Sequence, residues 1–254
     1  HGAQTLRVVA VRLPRTSNAT DVEALAAEPG VSVRWTTSAA EVDEADLAVV
    51  PGTRATVADL DWLRANGIAA ALVRRARSGR PVLGICGGYQ MLARRVHDDV
   101  ESGQGAVAGL GLLPVRVRFA EHKTVGRPTG QAYGQPVTTA YEVHHGVADL
   151  VPGPSAEPFL DGYRHGAVWG TTWHGAWESD GFRREFLRDV AATAGRAFEP
   201  ADGEHAVRLA DVRAARLDAL ADLIADHLDT TALDALITHG APLGLPFIPP
   251  GAPQ

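Results

Sequence analysis

The chain has 254 residues, 45% of them hydrophobic, enough to bury one elaborate α/β domain. Its 30 acidic against 24 basic side chains give a formal charge of −6 with no basic stripe, which argues against a nucleic-acid surface. One cysteine excludes an internal disulfide framework, no apolar run reaches the roughly 20 residues that cross a bilayer, and no signal-peptide pattern opens the chain, so the expectation is a soluble, cytoplasmic protein without membrane contact.

The chain opens at His1 and moves almost at once into a strand-like run, as a part excised from a longer protein would. Leu6 to Val11 reads as a strand, Asp21 to Ala27 as a short helix, Val31 to Thr36 as a strand, and Asp46 to Val50 as a strand ending in Pro51-Gly52-Thr53. Thr56 to Asn66 and Ile68 to Ser78 read as helices stopped by Gly67 and Gly79, before the strand Pro81 to Ile85. This βαβ rhythm predicts an α/β fold: a mostly parallel central sheet with helices on both faces, its reactive groups gathered at the carboxyl ends of the strands. From Leu112 the pattern changes. Leu112 to Phe119, Pro136 to His144 and Ala167 to Trp173 read as strands between turn-rich segments, expected as antiparallel additions to that sheet. Ser179 to Ala194 returns to helix. Between Val207 and Leu228, apolar residues including Leu209, Val212, Leu217, Leu220, Leu223 and Ile224 recur at helical spacing, a stripe expected to pack into the core. The division expected is one domain over 1–239 and a Pro/Gly-rich, extended or disordered tail over 240–254.

The segment Gly84-Ile85-Cys86-Gly87-Gly88-Tyr89-Gln90 sets the only cysteine between glycines, where a strand-like run gives way to a helix-like one. A sharp strand-to-helix turn needs glycines for close backbone approach and leaves its central side chain projecting above the sheet. A thiol there also sits at a helix N-terminus, which favours the thiolate. A lone cysteine is elsewhere often a small buried hydrophobe, but this setting makes Cys86 the candidate nucleophile. Its proton needs a base from a distant part of the chain. Of the ten histidines, His174 follows the strand Trp169 to Trp173 and precedes Gly175, so it lies at the proper end of the sheet, and His144-His145 is the second candidate. A zinc site built from these three is disfavoured, because adjacent histidines on a strand point to opposite faces and no zinc-type spacing is present. No phosphate-cradling Gly-x-x-x-x-Gly-Lys-Ser/Thr loop occurs either, so ATP binding by this chain alone is not expected.

Taken with Arg12 to Asp21, Val50 to Thr56, Tyr141-Glu142-Val143-His144-His145-Gly146, Gly170 to Gly175 and Arg213 to Ala221, these residues resemble the triad-type glutamine amidotransferase domain, and within it the C-terminal half of the cobyric acid synthases. The likeness runs from about Leu6 to Leu236. It implies a flavodoxin-like amidotransferase fold and a γ-glutamyl thioester formed on Cys86, with His174 as base and then acid. It also implies an oxyanion hole from the N–H groups of Gly52 and Gly87, and glutamine held by Gln90, with Arg127 offered to its carboxylate. Further implied are a partner synthetase domain that takes ATP, Mg²⁺ and a corrinoid substrate, no cofactor or metal in this chain, and weak glutaminase activity in isolation. Ala176 stands where many relatives carry the triad glutamate. Glu178, Glu142 or a carboxylate from another domain could fill that role, and a Cys-His dyad is the reading adopted. The alternatives are a stand-alone subunit of a cell-wall amidating ligase that shares the Cys-Gly-Gly-Tyr-Gln turn, and a non-catalytic interaction module with an inert Cys86.

Overall fold

A computed structural model describes residues 5–153 and 155–247. In chain order the elements are β1 (Leu6–Val11), α1 (Thr20–Ala26), β2 (Val31–Thr36), α2 (Ala39–Glu44), β3 (Leu47–Val50), α3 (Thr56–Ala65), α4 (Ile68–Arg77), β4 (Val82–Ile85) and α5 (Gly87–Leu92). There follow β5 (Arg95–Asp98), β6 (Gly105–Ala108), β7 (Val115–Gly126), β8 (Gly130–Ala132), β9 (Gln135–Val137), β10 (Glu142–Leu150), β11 (Glu157–Phe159), β12 (Gly162–His165) and β13 (Val168–Thr171). The last helices are α6 (Asp180–Thr193), α7 (Leu209–His227) and α8 (Thr230–His239).

The central sheet has seven strands in the order β11-β12-β13-β4-β3-β1-β2. The run from β13 to β2 is parallel throughout, while β11 and β12 extend one edge antiparallel. Because successive side chains alternate between faces, the inner strands feed two cores. Val8, Ala10, Val49, Ile85 and Trp169 pack with α1 and the Phe182, Phe186 and Val190 face of α6. Val9, Val11, Ala48, Val50 and Val82 pack with α3, α4 and α5. Both faces being covered there, β3, β4 and β13 are buried along their whole length.

The middle of the chain departs from expectation. The third expected strand, Ala167 to Trp173, does not add antiparallel: β13 lies parallel to β4, with Thr171 opposite Ile85. β10, β7, β5 and β6 form a separate sheet in that order, and β8 and β9 pair in a two-stranded one; the four-stranded sheet packs Val96, Val115, Val117 and Phe119 into the second core. The strand expected over 136–144 is two strands, β9 and β10, and β7 continues to Gly126 through a polar stretch that carries no alternation.

The structure divides into two units, residues 1–209 and 210–254. The stripe expected to be core is a correction. Leu209 is buried, but Leu217, Leu220, Leu223, Ile224 and Leu228 on α7 are 41–67% exposed. The periodicity does predict the helix; burial of its apolar face needs further elements, and a unit of two helices has no third layer to supply it. Residues 241–247 form no helix or strand, and the rest of the expected tail, 248–254, lies outside the described residues.

One glycine fixes how closely α5 sits on the sheet. A Cβ on Gly88 would lie 1.9 Å from the Val50 carbonyl oxygen and 2.8 Å from that of Pro51, backbone atoms that cannot swing aside. Gly88→Ala is expected to cost about 3 kcal/mol, the upper end for inserting a methyl group into a packed site, seen as a lowered melting temperature in calorimetry. A variant as stable as the parent would contradict this packing.

Candidate active site

Between Ile85, the last residue of β4, and Gly87, the first of α5, Cys86 makes the turn alone at φ 51° and ψ −113°. Side chains seldom take such angles, and strain of this kind persists where the surrounding structure enforces it. The enforcement is visible. The Cys86 N–H donates to the Thr171 carbonyl at 2.8 Å, tying the turn to the end of β13. Cys86 is 6% exposed and lines a cavity of about 530 Å³.

His174 lies just beyond β13 and is held on three sides. Its backbone exchanges two hydrogen bonds with Tyr141, each 2.9 Å, and the Tyr141 ring stacks on the imidazole at 5.3 Å. Its Nδ1 donates to Asp21 Oδ2 at 2.7 Å, while Asp21 Oδ1 accepts the Gly175 N–H at 2.6 Å. Asp21 is 1% exposed. The Cys86 side chain is the ring's remaining polar partner, through hydrogen bonding and charge. Burial pulls the imidazole pKa down; the hydrogen bonds to Asp21 and Cys86 and the negative charge of both outweigh it and push the value up from 6.5 to about 10. A cationic imidazolium beside a sulfur favours the thiolate, the nucleophilic form.

The carboxylate that meets His174 is therefore neither Glu178 nor Glu142. Glu142 pairs with His144 at 3.3 Å, and Glu178 lines a neighbouring cavity. Asp21 comes from 153 positions upstream, carried there by the loop before α1. That loop docks on the end of β3: the Ser17 N–H donates to the Gly52 carbonyl at 3.0 Å, and Thr16 bridges to Thr53. The Asn18 side-chain amide donates to the Tyr141 hydroxyl, and its oxygen accepts the Thr20 N–H at 3.0 Å. Sequence reasoning missed Asp21. The available signal was an acidic residue at a helix start within a segment already singled out.

Gly52 abuts the His174 ring and Gly87 directly follows Cys86. A Cβ on Gly52 would lie 2.8 Å from His174 Cε1, so only glycine lets the loop pass the ring. Gly87 opens α5, so no intrahelical carbonyl can accept its N–H. Gln90 is buried and lines the cavity, its Oε1 accepting the Thr56 hydroxyl at 3.0 Å. Arg127 is not brought to Cys86. It follows β7 and lines the adjacent cavity with Glu142 and Glu178.

His144 and His145 both line the Cys86 cavity, contrary to the expectation that strand neighbours face apart. A bulge between His144 and Gly146 breaks the alternation. The His144 ring is occupied by the Gly146 carbonyl and Glu142, and His145 Nδ1 by the Ala120 carbonyl. Among the described residues no group of three or more His, Cys, Asp or Glu side chains is arranged to hold a metal ion, and no helix is long and apolar enough to cross a membrane.

The model of the CobB/CobQ-like glutamine amidotransferase domain matches residues 7–182. Cobyric acid synthases from Streptomyces avermitilis and Streptomyces coelicolor are 61% and 58% identical to this chain over 252 residues, 99% of its length. That of Frankia casuarinae is 56% identical over 256 residues, again 99% of the chain. The chain spans about half the length of these relatives, 48–49%. Among solved structures, a glutamine amidotransferase superposes with a TM-score of 0.55 at 19% identity, covering 74% of this chain and 98% of its own; this likeness speaks for the fold alone. The chain belongs to the CobB/CobQ-like glutamine amidotransferase domain family.

Proposed function

We propose that this chain is the ammonia-supplying half of a cobyric acid synthase, hydrolysing glutamine at Cys86. The observation that carries the proposal is the meeting of the thiol and imidazole at the carboxyl ends of β4 and β13, both lining one cavity, with the buried Asp21 carboxylate on the far side of the imidazole. The Cys86 thiolate attacks the side-chain carbonyl carbon of glutamine. The oxyanion that forms is met by the Gly52 and Gly87 N–H groups, each such donor being worth about 3 kcal/mol in acyl transfer. As the carbon–nitrogen bond breaks, imidazolium His174 gives its proton to the leaving nitrogen and ammonia departs, leaving a γ-glutamyl thioester. Neutral His174 then takes a proton from water, whose oxygen attacks the thioester. Glutamate leaves, and the thiolate and imidazolium are restored.

Asp21 acts through His174: it holds Nδ1–H, keeps Nε2 toward the sulfur and stabilises the cation. Gln90, fixed by Thr56, walls the pocket where the amide lies. The ammonia is consumed by ATP- and Mg²⁺-dependent amidation of a corrinoid carboxylate, which belongs to the remainder of the relatives' length. The relatives' shared name favours that acceptor over a cell-wall precursor. A working thiol also suits the reducing cytoplasm. The test is release of glutamate from glutamine by the intact protein with ATP, Mg²⁺ and adenosylcobyrinic acid a,c-diamide present. Stoichiometric glutamate and amidated corrinoid are expected; no glutamate above the rate in buffer would overturn the proposal.

A further inference from the structure

Thr53, which lines the cavity, is held by a second buried carboxyl. Asp59, in the first turn of α3, is fully buried. Its Oδ2 accepts the Thr53 hydroxyl at 2.5 Å and the Arg15 N–H at 3.3 Å, and its Oδ1 accepts Arg15 Nη1 at 3.3 Å. A carboxyl is costly to bury unless it is hydrogen-bonded, and these partners belong to two loops that meet at the site. One runs before α1 and carries Asp21; the other leaves β3 and carries Gly52.

Thr53 stands where the two oxyanion donors meet. It follows Gly52 in the chain, and its side chain is pressed against Gly87: a Cβ on Gly87 would lie 2.6 Å from Thr53 Cγ2 and 3.1 Å from the Thr53 nitrogen. Where Thr53 sits therefore sets how far the Gly52 N–H lies from that of Gly87. Its hydroxyl has one proton to give and two acceptors in range, Asp59 Oδ2 at 2.5 Å and the Arg15 carbonyl at 3.1 Å. The shorter contact takes the proton. The hydroxyl oxygen accepts the Ala55 N–H at 3.1 Å, so the turn from Gly52 into α3 closes on this one side chain, and the Arg15 carbonyl is left to the Arg54 N–H at 3.2 Å.

We infer that Asp59 is a positioning residue for the oxyanion hole, an inference that rests on the glutaminase reading and deepens it: through the Thr53 hydroxyl, Asp59 wedges Thr53 against Gly87 and so fixes the spacing of the Gly52 and Gly87 N–H groups. The two buried carboxyls then have separate tasks, Asp21 acting on the base and Asp59 on the donors. Such donors must be aimed at the place the oxyanion will occupy rather than at the ground-state carbonyl, and a displacement of about 1 Å costs on the order of 10²-fold in rate. Without Asp59 the Thr53 hydroxyl turns to the Arg15 carbonyl, and the wedge loosens. The loop before α1 keeps its ties to Gly52 and Tyr141, so Asp21 stays on His174.

The test follows two reactions of Cys86 in the intact protein. Glutamine hydrolysis passes through an oxyanion. Alkylation by iodoacetamide forms a sulfur–carbon bond at a saturated carbon and expels iodide, so it reads the thiolate alone. Asp59→Ala is expected to lower kcat for glutamine about 30-fold, with KM within about threefold and the alkylation rate at neutral pH within about twofold of the parent. Thr53→Val removes the hydroxyl and keeps the shape, so it reads the same link even where Asp59→Ala folds poorly, and it should show the same split. Because Asp59 acts through Thr53, the double variant should lose no more than about twofold beyond the worse single one. Hydrolysis within about threefold of the parent in either folded variant, alkylation falling in step with hydrolysis, or effects that multiply in the double variant would each overturn this inference and leave the glutaminase reading standing. Absence of glutamine hydrolysis in the parent would overturn both.

Discussion

Cys86→Ser is expected to lower glutamine hydrolysis by on the order of 10³-fold or more while leaving the fold and the affinity for glutamine close to those of the parent. The hydroxyl is smaller than the thiol, and the φ of 51° at this residue is enforced by its neighbours, so the turn survives. What is lost is the nucleophile. Serine does not ionise beside an imidazolium, and the alkoxide it would need is far more basic than a thiolate. Residual rate would come from the oxyanion donors and from binding. Stopped hydrolysis with calorimetric binding of glutamine retained is the result expected; a variant that hydrolyses glutamine within tenfold of the parent would remove sulfur from the mechanism.

The second large effect is expected at Asp21, the residue that periodicity and spacing do not reveal. Asp21→Asn keeps the size of the side chain and removes its charge. The imidazole then loses the partner that stabilises its cation, and kcat should fall by roughly 10² to 10⁴-fold with little change in KM, the range in which a positioned acid–base residue contributes. A purely structural role would lower the melting temperature without moving the pH dependence, so the pH profile decides between the two. In the parent, His174 titrates near 10, above its ordinary 6.5, because the hydrogen bond and charge of Asp21, together with those of Cys86, outweigh burial. A raised value in the folded state means that the charged array stabilises the fold fully below about pH 6.5 and that this contribution fades as pH rises towards 10. The slope of melting temperature over that interval should flatten in Asp21→Asn. The rate of thiol alkylation at neutral pH should also drop, since less imidazolium remains to hold the thiolate. An unchanged slope and an unchanged alkylation rate would reduce Asp21 to a packing residue.

What could be read in the sequence was local. The glycines around Cys86, the strand-end position of His174 and the apolar runs of β1, β3 and β4 are encoded within a few residues of themselves, and the central sheet follows from them. Asp21 was hidden because its partner lies 153 residues away and the two meet only when the loop before α1 docks on Gly52. The placement of His144 and His145 was misjudged because a bulge reverses which face a side chain takes, and bulges leave no mark on an alternation rule. β5 and β6 are four residues each, the first partly charged, too short to register as periodic. Helix α2 did carry a sign that went unread: Ser38 stands three residues before Glu41, and its hydroxyl accepts the Glu41 N–H. The stripe of α7 shows the opposite limit, since helical spacing identifies an apolar face without saying what covers it.

The proposed chemistry requires a Cys86 thiolate poised for the carbon of a glutamine side chain. The most direct measurement is mass spectrometry of the intact protein after exposure to 6-diazo-5-oxo-L-norleucine, which carries an electrophile in place of the amide. A single adduct is expected on the peptide containing Cys86, slowed by excess glutamine and absent from Cys86→Ser. A Cys86 peptide left unmodified while the folded protein is saturated with the reagent would contradict it.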